Sequence, residues 1–206
     1  LINAAFFNEA SQTPATLFTF SGSCSSDIRR TIFDLYAAGN PGKYKVQEIK
    51  KWYNHSESEK RSYIEDIRQS KFVHCPRGIA SYSHRILETL ALGKVPVIIA
   101  DGWVPFSIPE KDYYVIVKEN DVSKLAQILE RKDREYEHLK ENAINVYNKY
   151  FDSRYCYSIA LNQLADLYTY QLSNITSDVI RDRWNSRKFW KNNKWGFEDR
   201  IMRKIN

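Results

Sequence analysis

The sequence is short of the groups from which metal centres, disulfide frameworks and phosphate loops are built. Its three cysteines, Cys24, Cys75 and Cys156, are widely spaced and form no C-x-x-C pair. That spacing argues against a zinc site and against a disulfide scaffold. No apolar run approaches the roughly 18–20 residues of a membrane span. The first residues carry no basic-then-apolar signal pattern. There is no internal repeat, no low-complexity tract and no P-loop, and Gly78 alone is not a dinucleotide fingerprint.

Aromatic and aliphatic residues are plentiful. With 43% hydrophobic residues, including 14 Tyr, 10 Phe and 5 Trp, the chain cannot be disordered. Its 206 residues suit one domain with a substantial core. A formal charge of +6 favours an anionic partner. Nucleic acid, an acidic membrane surface and a nucleoside diphosphate all meet that requirement.

The informative stretch is residues 70–102, SKFVHCPRGIASYSHRILETLALGKVPVIIADG. It reads as a buried strand ending at Cys75, a polar loop from Pro76 to Ser83, a short helix over 84–92, and a second buried strand over 95–100. Ser83 is placed to N-cap the helix and Gly93 to end it as C′. Val95 to Ala100 is continuously aliphatic, as expected of a strand covered on both faces. Two such strands joined by a helix imply a right-handed parallel crossover. In open parallel sheets the ligand lies at the carboxyl ends of the strands. Here those ends carry a loop and a helix start suited to phosphate.

Either side, strands are expected at 17–20, 44–49 and 113–117, with helices at 28–38, 56–69, 122–130, 132–150 and from about 152 to 172. Asp27 and Asp121 are placed as caps, and Ser56 with Glu59 as a capping box. The alternation predicts an α/β, doubly wound (Rossmann-like), mostly parallel sheet of about five strands with a helical C-terminal third. Residues 1–172 would form this domain. Residues 173–206 would be a basic aromatic tail, with Trp184, Trp190 and Trp195 docking it on the body or stacking on sugar rings or single-stranded nucleic acid.

Arg85 and Glu88 share a helix face. They form either a surface ion pair or a nucleotide contact, with Arg85 on a diphosphate and Glu88 accepting from ribose. Arg29 and Arg30 sit in the first turn of a helix, where a cation opposes the dipole. An anion held there would explain one of them, without the sequence choosing which.

The pattern SKF-x-x-CPRG…S-x-R-I-x-E-x-L-x-x-G-x-VPVIIAD resembles the exostosin-like glycosyltransferases (glycosyltransferase family 47), as does the upstream LFTFSG followed by Ile28-Arg29-Arg30. The resemblance covers about residues 16–129. It implies one half of a two-lobed GT-B transferase using a nucleotide sugar, usually a UDP-sugar, with no bound metal or other cofactor. It also implies a glycan or glycoprotein acceptor and an N-terminal acceptor-binding lobe in the parent chain. No nucleic-acid partner is expected on this reading. Arg29, Arg30, Arg77, Gly78, Ser81, Tyr82, Ser83, Arg85 and Glu88 are then the candidate nucleotide-sugar contacts. Arg85→Ala is expected to abolish UDP binding with little loss of thermal stability.

Inversion at the sugar needs a general base. His84 and Asp101 are candidates, while His74, within a strand, is better explained as core. Three other readings compete: a GDP-fucose-type fucosyltransferase, a nucleic-acid module using the tail, and a non-catalytic half-domain binding a partner lobe. The chain by itself suggests a cytoplasmic location, and the family a Golgi-lumenal one.

Overall fold

The structure is a computed structural model that describes residues 13–40, 42–50 and 55–174. The apolar stretch 2–8 and the tryptophans of the basic tail, 181–204, fall outside these residues. The chain divides into two compact units, Leu1–Asp152 and Ser153–Asn206.

The first unit is built on five strands: β1 (Thr16–Gly22), β2 (Tyr44–Glu48), β3 (Ser70–Pro76), β4 (Val95–Ile99) and β5 (Val115–Val117). All pairings are parallel, in the order β2-β1-β3-β4-β5. Between the strands run helices α1 (Asp27–Tyr36), α2 (Glu57–Arg68) and α3 (Arg85–Ala91). After β5 come a 3-10 turn (Glu119–Lys124), α4 (Leu125–Lys132) and α5 (Tyr136–Val146). The second unit contributes α6 (Cys156–Asn174), which exposes Tyr157, Leu161, Leu164 and Tyr168.

Alternation along the strands divides the core in two. Phe18, Phe20, Phe72, Val95, Val97 and Ile99 face α1 and α4 through Ile28, Ile32, Phe33, Leu125 and Leu129. Cys75 and Ile98 face α3 and α5 through Ile86, Leu90, Ala143 and Val146. Each fully buried Phe or Ile contributes about 1.5–3 kcal/mol by leaving water. Every residue of β4 is buried, as its unbroken aliphatic run requires.

Local signals explain several boundaries. Ser56 and Glu59 form the expected capping box, with both reciprocal bonds present. Gly93 adopts φ +64°, the Gly93 N–H donates to the Leu90 carbonyl at 3.0 Å, and the Lys94 N–H reaches the Thr89 carbonyl at 3.0 Å. These two bonds are a Schellman stop, which glycine permits because it lacks a Cβ.

Three expected caps differ. Ser26, not Asp27, holds the N-cap position of α1 and makes no capping bond. Its hydroxyl donates to the Arg77 carbonyl at 3.0 Å instead, so tertiary contact claims it. Ser83 makes no side-chain cap on α3; His84 occupies the N-cap position, and Ser83 offers its carbonyl to the Ile86 N–H. Asp121 lies inside the 3-10 turn and pairs with Lys124 rather than starting α4. The long helix expected over 132–150 is broken into a 3-10 turn (Asp133–Glu135), α5 and a π-turn (Tyr147–Phe151).

Candidate functional site: the crevice between the ends of β1 and β3

Because β2 and β4 lie on opposite sides of the β1–β3 pair, the chain leaves β1 in one direction and β3 in the other. The loops at their carboxyl ends therefore part, and this divergence is where open parallel sheets place ligands. Residues 23–26 form one wall and residues 77–84 the other.

Arg29 spans the two walls. Its Nε donates to the Arg77 carbonyl at 3.1 Å, Nη1 to the Ser23 carbonyl at 3.2 Å and Nη2 to the Pro76 carbonyl at 3.3 Å. Burial, and next the nearby Arg85, lower its pKa to about 10, which still leaves it charged at neutral pH. Gly78 lies on this guanidinium: a Cβ there would stand 3.4 Å from Arg29 Nη2. Arg30, one residue on, is exposed on the outer side of α1.

Arg85 enters from the first turn of α3. Its Nη2 donates to the Ser21 carbonyl at the end of β1, and its Nε to the Tyr63 hydroxyl at 3.2 Å. Its Nη1 is sealed from solvent and has no partner among the described residues. The guanidinium carbon stands 4.8 Å from the centre of the Phe20 ring, and that of Arg29 stands 5.9 Å from the same ring. Gly22 makes this possible, because a Cβ on it would lie 2.8 Å from Arg85 Nη2.

Arg85 and Glu88 do not form the direct ion pair that their spacing allows. The Tyr63 hydroxyl stands between them and donates to Glu88 Oε2 at 2.6 Å. Arg85 is also no detachable surface group. It packs on Phe20 and Tyr63 and bonds the Ser21 carbonyl, so Arg85→Ala removes contacts inside the fold and is not a surface truncation.

Arg77 points the other way. It makes a bidentate pair with Glu119, Nε to Oε1 at 2.7 Å and Nη2 to Oε2 at 3.0 Å. That bond raises its pKa further. Asp101 completes the cluster: its Oδ1 accepts from the Glu119 N–H at 3.0 Å, and its own N–H donates to Glu119 Oε1 at 3.3 Å. Together these bonds tie the ends of β3, β4 and β5. Ser81 is exposed, with its Oγ 2.8 Å from where a Cβ on Gly102 would be. Tyr82 sets its ring edge-on to Phe106 at 6.1 Å and to His84 at 5.6 Å.

His84 is exposed at the start of α3. His74 is wholly buried, stacked on Phe18 at 4.3 Å, with neither ring nitrogen hydrogen-bonded among the described residues. Burial, and next Arg85, lower its pKa to about 3, so it is a neutral core group. Cys75, fully buried, has its thiol pushed up to about 12 by burial and is likewise inert. Among the described residues no three His, Cys, Asp or Glu stand together as metal ligands, and no helix is long and apolar enough to cross a membrane.

The structure thus brings Arg29, Gly78, Arg85 and Glu88 to one crevice. Arg77 and Asp101 join the adjacent cluster, and Arg30 lies apart. Sequence reasoning missed Tyr63 and Glu119. The carboxyl-end rule that selected Asp101 after β4 would also have found Glu119, two residues beyond β5. Tyr63 carried no such signal.

Comparison with known proteins gives a consistent set. The Exostosin GT47 domain family matches residues 8–132. A probable glucuronosyltransferase of Oryza sativa subsp. japonica is 46% identical over 71 residues, 33% of this chain and 17% of the relative. The exostosin-1 homolog of Caenorhabditis elegans is 36% identical over 104 residues, 48% of this chain and 27% of the relative. The probable beta-1,4-xylosyltransferase IRX10 of Arabidopsis thaliana is 44% identical over 71 residues, 33% of this chain and 17% of the relative. The matched segments therefore span 17–27% of the length of these curated relatives. The crystal structure of TarM superposes with a TM-score of 0.40 at 12% identity, over 76% of this chain and 36% of that one, a likeness too slight to bear on the site.

Proposed function

The chain belongs to the exostosin GT47 family, and on that premise we propose that it is the donor-binding half of a GT-B glycosyltransferase that moves a sugar from a UDP-sugar to a glycan hydroxyl. The observation that carries this is the pair of guanidinium groups, Arg29 and Arg85, converging on the Phe20 ring with no carboxylate in ion-pair contact among the described residues. Like charges brought together at the ligand end of a sheet, one of them with an unpartnered Nη1, are stabilised by an anion between or above them. A diphosphate supplies two adjacent negative groups.

In the proposed reaction an acceptor hydroxyl attacks the anomeric carbon. The bond from that carbon to the diphosphate oxygen breaks, and UDP leaves with the electron pair. Arg85 would meet the charge developing on the diphosphate once ligand binding uncovers its sealed Nη1, with the backbone of residues 77–84 beside it. Side chains and backbone N–H groups, and not a metal ion, would carry this charge. Arg29 holds the two loops in register and contributes its field. Glu88 would accept from the ribose hydroxyls. Attack from the face opposite the leaving group inverts the centre, and the acceptor proton passes to a base. His84 is the candidate within the chain, since Asp101 Oδ1 is committed to the Glu119 N–H. A base on the acceptor lobe is the alternative.

Calorimetric titration with UDP and GDP tests the nucleotide, with UDP expected to bind at least about tenfold tighter. Tighter GDP binding would move the assignment to the fucosyltransferase reading. Incubation of the full-length protein with UDP-glucuronate, UDP-xylose and UDP-N-acetylglucosamine in the presence of glycan acceptors should yield an extended glycan with one of them. Binding without turnover by any donor would leave a nucleotide-binding half-domain and refute the transferase.

A further inference from the structure

Tyr63 joins two of the candidate nucleotide contacts although it belongs to neither loop. From α2 its hydroxyl donates to Glu88 Oε2 at 2.6 Å and accepts from Arg85 Nε at 3.2 Å. A phenol has one proton, and the shorter contact places it toward the carboxylate, leaving a lone pair for the guanidinium. Burial raises the tyrosine pKa, so the proton stays on the oxygen at neutral pH. The chain Glu88–Tyr63–Arg85–Ser21 thus runs from the carboxylate to the end of β1 through consecutive hydrogen bonds.

This arrangement has a consequence for Glu88. A glutamate at the rim of a crevice has three side-chain torsions to fix before its carboxylate can meet a ligand. Tethered at Oε2, it gives up that freedom when the protein folds and not when the ligand binds. Its second oxygen, Oε1, is left to accept from a ligand.

We propose that Tyr63 is a positioning residue for nucleotide recognition: its hydroxyl fixes Glu88 so that the remaining carboxylate oxygen accepts from the ribose diol. The inference rests on the diphosphate reading of the crevice and adds the group that sets its preference for ribose. Tyr63→Phe removes only the hydroxyl and retains the ring, whose centre lies 5.9 Å from the Arg85 guanidinium carbon.

The test is calorimetric titration of the full-length protein with UDP and with 2′,3′-dideoxy-UDP, for the parent, Tyr63→Phe, Glu88→Gln and the double variant. The parent should prefer UDP by about 10- to 100-fold, the range of a hydrogen bond to a charged group. Tyr63→Phe should cut that preference to within about threefold; any loss through the Arg85 Nε bond falls on both ligands alike, so the ratio of the two affinities reports on Glu88. In the Glu88→Gln background, Tyr63→Phe should change the preference no further. The proposal is overturned if Tyr63→Phe keeps the parent's preference, or weakens both ligands equally, while Glu88→Gln loses the preference. A parent that does not distinguish the two ligands, or a Glu88→Gln variant that still does, refutes the ribose role of Glu88 itself and takes the tyrosine's role with it.

Discussion

Gly22→Ala isolates the placement of Arg85. Gly22 ends β1 without a left-handed φ, so its backbone accepts alanine without strain. The added methyl would nonetheless lie 2.8 Å from Arg85 Nη2, closer than carbon and nitrogen tolerate. The guanidinium must retreat from the Ser21 carbonyl that it bonds and shift over the Phe20 ring. Losing one hydrogen bond from a charged group costs about 1.5–3 kcal/mol, part of which water at the displaced group restores. A net destabilisation of about 1–2 kcal/mol follows, or about 2–8 °C in melting temperature for a chain of this size. UDP affinity should fall more steeply, by about 10- to 100-fold, because a displaced Arg85 no longer faces the diphosphate. Differential scanning calorimetry and isothermal titration of the same preparation measure both. Affinity within about twofold of the parent, with the variant folded, would show that the position of Arg85 does not govern binding.

Arg85→Ala should abolish UDP binding and also lower stability by about 1–3 kcal/mol in urea titration, since it removes packing on Phe20 as well as two hydrogen bonds; undiminished stability would contradict the packing role. Lys94 is buried, and desolvation, with Lys140 next, lowers its pKa from 10.5 to about 8. The penalty for burying its charge is therefore complete below pH 8 and relieved as pH rises toward 10.5. Lys94→Met should stabilise by about 2 kcal/mol at pH 7 and by progressively less above pH 8, and a gain independent of pH would refute the charge argument. His74, held neutral with its pKa lowered to about 3, makes the folded state refuse a proton that the unfolded chain takes up near 6.5. Stability should fall as pH drops from 6.5 toward 3, and His74→Phe should flatten that fall by up to about 4 kcal/mol near pH 3; parallel curves for parent and variant would show that the histidine is not responsible. Ser56→Ala, which removes the capping box of α2, should cost about 1 kcal/mol in the same titration, and no loss would mean the box is idle.

What the sequence revealed were features set by neighbours in the chain. The aliphatic run of β4, the glycine that stops α3 and the capping box of α2 are local patterns, and each fixes an element without reference to the rest. The loop between β3 and α3 was legible for the same reason. Distant contacts were not. Arg29 and Arg30 are adjacent, but successive helix positions differ by about 100°, and only the packing of α1 on the sheet decides which one faces the crevice. The caps assigned to Asp27 and Ser83 each missed by one residue, because α1 begins at Asp27 itself with Ser26 in the N-cap position and the turn at His84 puts that residue in the N-cap position of α3. Tyr63 was invisible because it meets Arg85 and Glu88 only once α2 and α3 lie side by side.

The central claim is that a pyrophosphate lies in the crevice between the carboxyl ends of β1 and β3. A co-crystal of the full-length protein with UDP measures that location directly. The account predicts diphosphate density against residues 77–84 and the Arg85 guanidinium, with the ribose at Glu88. Nucleotide density at any other surface, with Arg85 still enclosed by Phe20 and Tyr63 and no ligand above it, would contradict it.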